Sequence, residues 1–290
     1  MSMSTLLELP TLPDFQTGVL AGSLALVFLL VGRRLGLRMD WGIAVAGATL
    51  AGFQLRMDQR LSTTLGVALV GCGGWWLSRI GGRKIAHLLL AGIVLMVGAA
   101  IVAFRSALPE DGWIPIAVPM VMLFLGYWMG NWDAPDVEPW LGPMFLVTAF
   151  GIWATVPQTA SARILLGTSV PIALATTWSK GARISPAGGF ALSAVVTWIA
   201  AVGGERRPGS IVGAWACVGL LVLVPMVKER LNRLPGWSLF GLHTAVVFLA
   251  SRVIGFSESA HLAALGVMVL LAIVYAFSRF RIDEPAKSPS

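Results

Sequence analysis

Apolar stretches recur along this chain at short intervals, punctuated by charges and glycines. They cover 17–31, 41–55, 61–77, 85–104, 113–132, 140–156, 164–178, 187–203, 211–227, 237–256 and 261–277. Within a run the apolar positions are nearly continuous and show no alternation with polar ones, so neither a half-buried strand nor a barrel strand fits. In hydrocarbon every backbone donor and acceptor must find its partner inside the segment, which a helix provides. The pattern predicts an all-α fold, a polytopic transmembrane bundle of about eleven helices, or ten if a short run is re-entrant. A polar segment over 1–16 and a polar tail over 278–290 flank a single transmembrane domain over 17–277.

The charges between runs predict an orientation, because short cytoplasmic loops carry the excess of lysine and arginine. If successive loops alternate sides, the side of the N-terminus collects 7 basic residues, among them Arg56, Arg105, Arg163 and Arg252, and the opposite side 14. The N-terminus is therefore placed outside and the C-terminus in the cytoplasm. No basic n-region precedes the first run, so it is read as a retained span and not a cleaved signal.

Composition sharpens this picture. Hydrophobic residues make up 57% of the 290 positions and charged residues only 12%, about half the charged share of a soluble domain. The mean hydropathy is +0.80. A net charge of +7 could suggest nucleic acid, but its residues sit between apolar runs, where they suit anionic head groups instead. The partners expected are the lipid bilayer of the cytoplasmic (inner) membrane and a protein partner or second copy, with no nucleic acid. Abundant Ala, Gly and Arg fit a GC-rich bacterial genome.

Candidate chemistry is sparse. The segment Trp132 to Trp140 carries Asp133, Asp136 and Glu138. Pro135 and Pro139 disfavour a helix through it, so the plain reading is a tight polar hairpin between two spans. The sharper reading is a hard-cation site for Mg²⁺ or Ca²⁺ of the kind a lipid-phosphate enzyme uses. Such a site needs about six ligands, and no second acidic cluster supplies them, so no cofactor is expected. Arg252, Glu258 and His261 can gather at the outer surface to contact an anionic head group, although Ser257 or Ser259 as a helix cap accounts for the same stretch.

Other features read structurally. Ala44, Ala48 and Gly52 form a small-residue seam at four-residue spacing, for packing inside the bundle or against a partner. Trp41, Trp113, Trp132, Trp140, Trp178 and Trp237 fall at run ends and suggest interfacial belts. Cys72 and Cys217 read as buried apolar residues, and His243 as a polar helix-packing contact. A basic turn with a small-residue helix recurs at 31–53 and 202–224, a faint sign of an inverted repeat. No Asp or Glu lies in mid-run, which argues against a carboxylate-driven pump, and no nucleophile elbow, phosphate loop or His-Glu-x-x-His is present. The expected function is a non-enzymatic permease-like protein or accessory subunit of a cell-envelope assembly. The alternative is a membrane enzyme acting on a lipid-linked substrate through Asp133, Asp136 and Glu138.

Overall fold

A computed structural model describes residues 8–35, 40–57, 61–79, 85–105, 114–130, 138–155, 159–178, 184–203 and most of 240–247. Within these, the regular elements are a 3₁₀ turn, Leu9–Thr11, and the helices α1 Pro13–Arg34, α2 Trp41–Met57, α3 Leu61–Arg79, α4 Ile85–Arg105, α5 Ile114–Gly130, α6 Glu138–Thr155, α7 Ala160–Trp178 and α8 Pro186–Gly203. The all-α class therefore holds for the described residues. Each of the first eight apolar runs lies within one of these helices or overlaps nearly all of it. The helices run longer than the apolar stretches, up to 22 residues, because flanking residues such as Arg34 and Arg79, both exposed, continue the final turn.

Two stretches, Pro13–Gly32 and Ile85–Ala103, are long and apolar enough to cross a membrane. Less than a third of either is buried, whereas the core helix of a soluble protein would be mostly enclosed. Phe28 is 71% exposed and Ile85 75%, and Leu20, Leu24, Leu89, Ile93, Ile116 and Met120 join them on the outside.

The opposite environment surrounds α8. It packs on α2, α3 and α5, and Leu192, Ala194, Val195, Val196, Ile199, Ala200 and Ala201 are all closed from solvent. A helix apolar on every side belongs in the centre of its bundle. The α1–α7 pair is the tightest crossing. A Cβ on Gly18 would strike the carbonyl of Ile164, one on Gly22 the Thr168 carbonyl, and one on Gly167 the Phe15 carbonyl. Only hydrogen at these positions lets the backbones meet, the arrangement that small residues four apart permit.

The Ala44, Ala48 and Gly52 seam packs inside the chain. Ala48 is buried, and a Cβ on Gly52 would come within 2.6 Å of Ile164 Cγ2 on α7. Two other expectations are corrected. Trp41 is not an interfacial belt residue: it is 3% exposed and meets Phe145 edge to face at 5.0 Å, because its side of α2 faces the core. Cys72 is not buried but exposed, since its neighbours Gly71, Gly73 and Gly74 form the packed face of α3. Trp113, Trp132, Trp237, Cys217 and the second repeat piece lie outside the described residues.

Candidate functional site

Polar groups concentrate at three places. The first joins two helix starts. Asp40 precedes α2 and caps it, its Oδ1 accepting from the backbone N–H of Gly42 at 2.8 Å and of Ile43 at 3.2 Å. Its Oδ2 reaches 145 positions along the chain to accept the Ser185 N–H at 2.9 Å. Ser185 in turn precedes α8, its Oγ accepting from Gly188 N–H at 3.2 Å, with Pro186 at the first helical position, where a missing donor costs nothing. One carboxylate thus serves the positive ends of two helices. The junction closes because Gly42 and Gly188 touch through backbone: a Cβ on Gly42 would lie 2.7 Å from the Gly188 carbonyl carbon, and one on Gly188 would strike the Asp40 carboxylate. Burial pushes the Asp40 carboxyl above its ordinary value, with the hydrogen bonds from Ser185, Ile43 and Gly42 opposing the shift.

At the other end of α2, Arg56 Nε donates to Asp14 Oδ1 at 2.9 Å, and Arg163 Nη2 pairs with Asp14 Oδ2 at 2.9 Å. Asp14 sits in the first turn of α1 and Arg163 in the first turn of α7, so this clasp ties three helices. The Asp14 side chain is 13% exposed against 47% for Arg56, which puts the carboxylate inside and one guanidinium at the rim.

The third place is internal. His243 is 1% exposed; its Nε2 lies 3.0 Å from Thr148 Oγ1 and 3.1 Å from the Met144 carbonyl, while Thr148 Oγ1 donates to that same carbonyl at 3.0 Å. The Nδ1 atom has no hydrogen-bond partner among the described residues. The pairing pins His243 to α6.

Sequence reasoning counted Arg56 and Arg163 only as topology signals and did not single out Asp14 or Asp40. For Asp40 a signal was present: an aspartate directly before a Trp-Gly helix start is a capping pattern. Its second partner, so far away in sequence, left no local trace. Of the sites read from sequence, Asp133, Asp136, Arg252, Glu258 and His261 lie outside the described residues, and Glu138 is placed only as the first residue of α6. Among the described residues, no three His, Cys, Asp or Glu side chains gather to hold a metal ion. Chemically, the three places offer two structural clasps and one buried imidazole with an unsatisfied nitrogen. Compared with known protein families and with curated proteins, the sequence matches none of them.

Proposed function

We propose that the chain is a multi-pass protein of the cytoplasmic membrane, about eleven helices with its N-terminus outside and C-terminus inside, serving as a non-enzymatic accessory subunit of a cell-envelope assembly. The observation that carries the membrane reading is the wide apolar surface on α1, α4 and α5, from Leu20 to Phe28, Ile85 to Ile93 and Ile116 to Met120. Exposed patches of that extent mark association or a lipid surface. The contacts support the alternation of the helices: Asp14, Arg56 and Arg163 precede or follow odd and even runs in the order that puts all three on one side, and they meet. Asp40 and Ser185, assigned to the opposite side, also meet.

The accessory role is supported by the closed packing of α8 at the centre of the bundle, which suits a scaffold. A permease-like role is the second reading, favoured by His243, since an ionisable side chain within a span is a default marker of function, and by Pro119 and Pro171 inside helices, where prolines permit kinks. Purification in mild detergent from the membranes of its own cell separates the two. A stoichiometric partner supports the accessory role, whereas a solitary chain that drives solute flux in liposomes, lost in His243→Ala, supports the second. A reporter fused after Ser290 that is active only outside the cell refutes the orientation.

A further inference from the structure

We propose that the Asp14–Arg56–Arg163 clasp and the apolar groove beside it seat one anionic phospholipid, its phosphate on Arg56 and one acyl chain in the groove. This rests on the membrane reading above. Among the described residues the clasp is electrically incomplete, since a single carboxylate pairs with two guanidiniums. Arg56 spends only its Nε on Asp14. Its two terminal nitrogens have no partner among the described residues, and the side chain is half exposed at the rim. A guanidinium edge presented this way matches two oxygens of a phosphodiester.

The groove supplies the other half of an amphiphile. It encloses about 390 Å³, and Leu9, Phe15, Val147, Leu166, Val170 and Val247 are among its lining residues. Its one hydroxyl, on Thr244, is already donated to the Phe240 carbonyl at 2.8 Å, so the walls ask for nothing polar. The lining of the groove begins beside the clasp, although none of the three charged residues is itself part of it. Phe15 follows Asp14 directly, and Leu166 and Val170 stand three and seven residues after Arg163, on the same helix face. A free phosphate would use the arginines and leave the groove empty; a zwitterionic lipid would use the groove and bring no net charge to the surplus guanidinium. An anionic diacyl lipid satisfies both.

The test uses the full chain in detergent, with native mass spectrometry reading the lipid retained after equal additions of phosphatidylglycerol and phosphatidylcholine. Phosphatidylglycerol retention exceeding phosphatidylcholine by about fivefold is expected from one basic residue beside an anionic head group, falling to parity in Arg56→Gln. Val147→Trp, which fills the groove and keeps every charge, should lower retention of both lipids. Equal retention by the unaltered chain overturns the proposal, and so does competition by inorganic phosphate at the lipid's own concentration. That first comparison needs no variant, so a poorly folding mutant leaves it intact. Equal retention in a chain that extracts only with detergent defeats the lipid site alone; a chain that stays dispersed without amphiphile defeats the membrane reading as well.

Discussion

Replacing Asp40 by alanine tests whether one carboxylate joins two helices or merely caps one. The capping bonds to Gly42 and Ile43 are those of an ordinary N-cap, whose loss costs about 1 kcal/mol. The bond from Ser185 N–H is different, because alanine leaves that donor facing the Gly42–Gly188 contact with no acceptor, at a cost of about 1–3 kcal/mol. Together the loss is about 2–4 kcal/mol, offset in part because a desolvated carboxylate is removed. Asparagine keeps one acceptor oxygen and presents an N–H₂ where the other stood, so it should fall between wild type and alanine. Ser185→Ala retains the backbone N–H and loses the cap on Gly188 together with the hydroxyl's interaction with the Asp40 carboxylate, about 1 kcal/mol or somewhat more. Thermal unfolding of the detergent-solubilised protein, followed by intrinsic tryptophan fluorescence, ranks the variants. The bridge is refuted if Asp40→Ala is no less stable than Ser185→Ala, or if it melts together with Asp40→Asn.

Three more outcomes follow from the same contacts. Since burial raises the Asp40 carboxyl, the folded state favours the protonated form more than the unfolded state does; stability from this group is greatest at acid pH and is lost as pH rises through the folded-state value. Wild type should therefore gain melting temperature over Asp40→Asn on acidification from neutrality towards about pH 4, and a difference flat with pH rejects the shift. Gly18→Leu forces α1 from α7 at backbone contact and should destabilise by about 3 kcal/mol or more, with Gly47→Leu, at a position with open space around it, as the near-neutral comparison in the same melt. In the clasp, half-exposed Arg56 should cost about 0.5 kcal/mol when changed to alanine, whereas Asp14→Ala leaves Arg163 beside a second cation and should cost about 2 kcal/mol; equal costs would mean the carboxylate does not unite the three helices.

How much of this was legible in the sequence depends on the range of the interaction. Helix positions came through because a long apolar run without polar alternation suits a helix and not a half-buried strand. Helix ends were less legible, since a terminal arginine can extend the last turn with its charge held outside. The α1–α7 crossing was missed although Gly18 and Gly22 carry the same four-residue spacing as Ala44, Ala48 and Gly52; spacing shows that a face is small, not which helix will press on it. Trp41 illustrates the converse. Its place at a run end suggested the head-group layer, but the partner that buries it, Phe145, lies about a hundred positions away. The same distance hid the second role of Asp40.

The two clasps together explain how α2 is set in the bundle. Asp40 ties its first residue to α8, and Arg56, next to its last, ties it to α1 and through Asp14 to α7. Between these ties Thr49 donates to the Val45 carbonyl of its own helix at 2.8 Å, and Gln54 donates across to Thr64 on α3 at 3.2 Å. Sixteen residues of helix separate Asp40 from Arg56, a rise of about 24 Å, close to the roughly 30 Å of hydrocarbon in a bilayer once a flexible arginine stem is added. Among the described residues the ion pairs lie at one of these two levels, on Asp14, and the other level is held by backbone hydrogen bonds to Asp40. In the proposed membrane setting these are the levels at which a charge keeps contact with water or head groups while its carboxylate partner turns inward to bind helices together.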